Sequence, residues 1–75
     1  MTFEDRIVLD PAIRGGKPCI KGTRITVYDI LEYLAGGMSD DQILNDFPNL
    51  SRVDIQSALE FAAVRERRLA VSSNP

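Results

Sequence analysis

A mainly α domain with a short β-rich head is the fold this sequence predicts, and three observations carry the prediction. The hydrophobic period changes from two to 3.6 residues at Val27. Gly36-Gly37 and Pro48 then divide the remainder into three helical stretches. Each stretch is preceded by a hydroxyl residue placed to cap it: Thr26, Ser39 and Ser51. With 75 residues, 44% hydrophobic and 27% charged, the chain has the composition of one globular domain and not of a disordered segment. Residues 1–70 are assigned to that domain, with 1–26 as the β-rich head, 27–70 as a three-helix unit and 71–75 as a flexible tail.

The head reads as short extended pieces. Ile7, Val8 and Leu9 form an aliphatic run closed by Asp10-Pro11, which favours a turn. Cys19-Ile20 and residues 24–26 flank Lys21-Gly22-Thr23, where Gly22 supplies the positive φ of a tight turn, so a small hairpin is expected.

The first helix is expected over 27–35, with Val27, Ile30, Leu31 and Leu34 on one face and Asp29 and Glu32 on the other. Ser39-Asp40-Asp41-Gln42 is a capping-box sequence and starts a second helix over 40–47, stopped by Pro48. Ser51 caps a long third helix over 52–70, with Asp54 in the first turn where the helix dipole favours a negative charge. On its wheel Ile55, Ala58, Leu59, Ala62 and Leu69 form the expected core stripe. Val53, Phe61 and Val64 project on nearly the opposite side and read as a second stripe facing a partner.

Charge is distributed in blocks. Residues 1–26 carry five cations against three anions, residues 27–64 seven anions against Arg52 alone, and the last stretch Arg65, Arg67 and Arg68 against Glu66. Histidine is absent, which removes the commonest general base and metal ligand, and one cysteine makes neither a disulfide nor a zinc site. No metal or cofactor is expected. Cys19, with no histidine to activate it, reads as a small buried hydrophobe. Without a signal peptide or a run of about 20 apolar residues, a cytoplasmic protein with no membrane partner is expected.

The glycine-rich run GGKPCIKGTRITV, residues 15–27, invites comparison with a phosphate-binding loop and fails it. A Walker A loop needs lysine between its last glycine and its Ser/Thr, whereas Gly22 abuts Thr23 directly, and no G-x-G-x-x-G is present. The acidic pairs Asp40/Asp41 and Asp29/Glu32 are accounted for by the helix dipole and a solvated face. No catalytic residues are assigned and no enzyme is expected.

What remains is a short capped helix, a turn of about three residues and a longer capped helix, the proportions of a helix-turn-helix. In that motif Ser51, Arg52 and Gln56 are the exposed residues that reach phosphates and base edges. The acids of the second and third helices oppose DNA, so a dimer pooling Arg14, Lys17, Lys21 and Arg24 from two heads is the expected binding form.

The run P-x-I-x-G-G-K-P-x-I-x-G-T-R-I-x-V, from Pro11 to Val27, followed by D-x-P-x-L from Asp46 to Leu50, resembles the bacterial and archaeal domain-of-unknown-function family 433 over about residues 3–66. The resemblance implies a homeodomain-like helix-turn-helix bundle, and an antitoxin of the VapB type that neutralises a PIN-like ribonuclease toxin and represses its own operator DNA. From charge, Arg65, Arg67 and Arg68 beside Phe61 and Val64 suit insertion among the carboxylates of such a nuclease. The alternative, a solvated basic helix end, stands beside it. A module that only docks on a partner or dimerises, without touching DNA, is the second functional reading, and a stand-alone DNA-binding regulator is another.

Overall fold

A computed structural model of the chain describes the backbone of residues 5–73 and the side chains of residues 5–68. The order is β1 (Ile7–Val8), β2 (Cys19–Ile20), α1 (Val27–Ala35), α2 (Asp40–Asp46) and α3 (Arg52–Ser73). The mainly α architecture with a short β head is as the hydrophobic period predicts.

β1 and β2 pair antiparallel, Ile7 opposite Ile20 and Val8 opposite Cys19. The expected hairpin between 19–20 and 24–26 survives as a tight turn closed by one bridge, Cys19 opposite Thr26. In it the Ile20 amide donates to the Ile25 carbonyl at 2.9 Å and Gly22 has φ +80°. It goes no further because Thr26 already caps a helix, so regular pairing falls to β1, with the Lys21 amide donating to the Arg6 carbonyl at 2.8 Å.

Each of the three α-helices opens with a reciprocal capping box, which satisfies two orphan amides at each start. At α1 the Asp29 amide donates to Thr26 Oγ1 at 2.9 Å and the Thr26 amide to Asp29 Oδ2 at 3.0 Å. At α2 the Gln42 amide donates to Ser39 Oγ at 3.2 Å and the Ser39 amide to Gln42 Oε1 at 2.8 Å. At α3 the Ser51 amide donates to Asp54 Oδ2 at 2.9 Å and the Asp54 amide to Ser51 Oγ at 3.3 Å.

The helix ends follow from Gly and Pro. α1 stops at Gly36, whose amide donates to the Glu32 carbonyl at 2.9 Å, and Gly37 turns the chain with φ +99°. α2 ends one residue earlier than expected: Phe47, preceding Pro48, leaves the helical region at φ −126°, ψ 77°. A turn from Phe47 to Leu50, closed by the Leu50 amide on the Phe47 carbonyl at 2.9 Å, leads into α3. α3 continues to Ser73, so the break expected at residue 71 does not occur there. Residues 74–75 of the expected tail lie outside the described residues.

The core gathers Ile20, Val27, Ile30, Ile43, Leu50, Ile55 and Ala58, with Cys19 buried beside β1 as expected. Tyr33 and Phe47 stack over it with centroids 5.1 Å apart. The wheel of α3 needs correction. Leu59 is 41% exposed, and Phe61, expected to face outward, packs on the core. The reason is that Asp54 and Ser57 are buried, which turns the inward face of the helix toward them and carries Phe61 in. Val53 stays exposed and Val64 half-buried; the Leu69 side chain lies outside the described residues.

Asp54 is buried because it does two things at once. Besides capping α3, its Oδ1 accepts Arg6 Nε at 2.6 Å, tying the β head to the start of α3 across 48 residues of sequence. Arg6 keeps a third of its side chain in water, and among the described residues no buried side-chain N or O lacks a partner. Asp54→Ala removes both roles, and its expected cost is about 2–3 kcal/mol in chemical denaturation. Asp54→Asn keeps a cap acceptor and should cost less; equal losses would contradict the cap contribution, and an unchanged stability in Asp54→Asn would contradict the ion-pair contribution.

Candidate functional site

An open groove of about 850 Å³ lies between the head, α1 and α3. The loop of residues 15–18 forms one wall, Tyr28 and Leu31 of α1 another, and Phe61 and Arg65 of α3 a third. Leu9 closes it from the β1 side. Leu9 and Tyr28 are the two most exposed large hydrophobic residues described, at 66% and 63%.

Local chemistry sets each wall. Arg14, Gly15 and Gly16 lie in succession in the left-handed region, with φ +50°, +68° and +84°. Glycine takes this conformation freely, but Arg14 bears a penalty of about 1–2 kcal/mol. Its guanidinium offsets that by donating to the Arg24 carbonyl at 2.9 Å and to Asp29 Oδ2 at 3.0 Å. The turn is thereby fixed to the capping box of α1. On α1, the hydrogen bond from the Tyr28 hydroxyl to Glu32 and, after it, the Glu32 charge raise the phenol above its ordinary value.

Of the residues expected to contact DNA, Arg14 is therefore engaged within the chain. So is Arg52: its guanidinium bonds Asp41 and lies 3.8 Å from Asp40, bridging the first turns of α2 and α3. Ser51 uses its hydroxyl as the α3 cap. Lys17, Lys21, Arg24 and Gln56 are exposed, with Lys21 and Arg24 around the hairpin turn and Lys17 on the groove. Of the residues expected to meet a partner, Phe61 and Arg65 share the groove with Lys17, whereas Val53 lies near the start of α3. Arg67 and Arg68 are exposed further along α3.

Leu9, Tyr28 and Leu31 escaped the sequence reading as site residues. Tyr28 was detectable as an aromatic on α1 outside the apolar stripe, and Leu9 as the aliphatic end of a strand that breaks at Asp10-Pro11. Among the described residues no group of three or more His, Cys, Asp or Glu is gathered to hold a metal, and no helix is long and apolar enough to cross a membrane.

Burial alone would raise the Asp29 carboxyl, but the amide and hydroxyl of Thr26 and the Arg14 guanidinium outweigh it and hold the group below its ordinary value. A depressed folded-state pKa contributes stability that is complete above the unfolded value of about 3.9 and is lost as pH falls through the folded one. Denaturation between about pH 5 and pH 2 should show this loss in the wild type and a flatter profile in Asp29→Asn. Identical profiles would contradict the clamp.

A family model described as a protein of unknown function (DUF433) matches residues 7–62, which takes in every wall of the groove but stops short of Arg65. The uncharacterized protein y4eO of Sinorhizobium fredii (strain NBRC 101917 / NGR234) is 34% identical over 62 residues, covering 83% of this chain. The chain spans only 28% of that curated relative's length. A crystal structure of a DUF433 member protein from Anabaena variabilis ATCC 29413 superposes with a TM-score of 0.80 at 25% identity, covering 92% of this chain and 68% of that one. With the motif from Pro11 to Val27, the fold and the matched span in agreement, the chain belongs to the DUF433 family.

Proposed function

We propose that this chain is a non-catalytic binding module of the antitoxin type, which holds and silences a PIN-like ribonuclease and, as a dimer, represses its own operator DNA. The observation that carries the reading is the groove, where exposed Leu9 and Tyr28 stand beside Lys17 and Arg65. An apolar surface with cations at its edge suits a protein whose own active site is a ring of carboxylates. The DNA half would fall to α2, the turn and α3, with Gln56 reaching bases and Lys21, Arg24 and Lys17 reaching phosphates.

A second reading, a docking module that never touches DNA, is favoured by the engagement of Arg14 and Arg52 with carboxylates. It leaves fewer cations for phosphate than the sequence alone suggests.

Co-expression with a PIN-like nuclease encoded in the neighbouring reading frame should restore growth, and Tyr28→Glu should abolish the rescue; no rescue contradicts neutralisation. The upstream DNA should bind in a salt-dependent manner, with Lys21→Ala and Arg24→Ala each lowering the slope of log K against log salt by about one. No binding at low salt would leave the docking module.

A further inference from the structure

The cations at the head and the groove differ in what they face. Arg6, Arg14 and Arg52 each sit on a carboxylate of the chain. Lys17 and Arg65 belong to different walls of the groove, and among the described lining residues the one carboxylate is Glu66. The described lining thus holds two cations against one carboxylate. Its apolar part is formed by Leu9, Val27, Tyr28, Leu31 and Phe61.

Two alternatives fit less well. A small ligand within the groove would leave the rim residues Leu9 and Tyr28 wet, since they are 66% and 63% exposed. Among the described lining residues, a second copy pairing by two-fold symmetry would bring two Lys17 and two Arg65 against two Glu66, which leaves like charges facing each other. An elongated acidic partner covers the rim and meets the cations. The wall it would lie against is already set by the left-handed turn from Arg14 to Gly16, so little ordering cost remains on this side.

We infer that the groove is a docking site for an acidic amphipathic segment of a partner protein, whose apolar side chains cover Leu9 and Tyr28 while its carboxylates pair with Lys17 and Arg65. The inference rests on the protein-binding half of the proposed function and does not require the partner to be a nuclease.

The test is selection from a random peptide library displayed on phage against the full chain, followed by titration of synthetic peptides from the enriched sequences. The enriched sequences should combine carboxylates with aromatic or aliphatic residues, and should shift the amide resonances of Leu9, Tyr28 and Leu31. Lys17→Glu and Arg65→Glu should each weaken binding about tenfold, while Lys21→Glu, the same charge change outside the groove, should stay within about twofold. Circular dichroism of each variant guards against unfolding as the cause.

Enrichment without acidic residues, no enrichment at all, an equal loss with Lys21→Glu, or a dimer that Tyr28→Glu dissociates would each overturn the inference. Peptide binding of the expected kind without rescue of any nuclease would leave the groove and remove the antitoxin. Rescue unaffected by Lys17→Glu and Arg65→Glu would leave the antitoxin and remove the groove.

Discussion

Two arginine–aspartate clamps hold the head of this domain to its helices, and the groove exists because of them. Asp54, with 1% of its side chain exposed, caps α3 and receives Arg6 from the strand side; Asp29 caps α1 and receives Arg14 from the turn. In each case one carboxylate satisfies an orphan amide of a helix and neutralises a distant guanidinium, a charge-assisted bond that is stronger than a neutral cap. β1 and β2 have two residues each, far too few for an independent sheet. The clamps, with Ile7, Ile20 and Ile25 on the core, are what place them.

From this placement the rest follows. With the head fixed, the left-handed turn at Arg14–Gly16 lies across from α3, and Leu9, Lys17 and Tyr28 come to border one space. A strained backbone held by side-chain bonds keeps its shape whether or not a ligand is present. The same economy of charge explains why the surface expected to meet DNA is less basic than the sequence suggests: Arg14 and Arg52 complete the first turns of α1, α2 and α3.

Much of the fold was legible in local chemistry. Thr26, Ser39 and Ser51 announce the three helices, Gly36-Gly37 and Pro48 end two of them, and Gly22 marks the turn. These signals act over a few residues. The misplacement of Phe61 and Leu59 on α3 arose because a wheel ranks positions by apolarity, whereas here two polar residues, Asp54 and Ser57, point inward. Nothing local to Asp54 names Arg6 as its partner. The groove was less legible still, since Leu9, Lys17, Tyr28 and Arg65 come together only through the tertiary fold; the basic character of the turn was visible, its apolar neighbours were not.

The central claim, that the clamp at Asp54 holds the head in position, is tested most directly by amide hydrogen exchange in Arg6→Ala. The account predicts faster exchange at Ile20 and Lys21, whose amides donate to Ile25 and Arg6 carbonyls, with protection retained at Ile43 and Phe47 in α2 and its cap. Unchanged protection at Ile20 and Lys21 would contradict it.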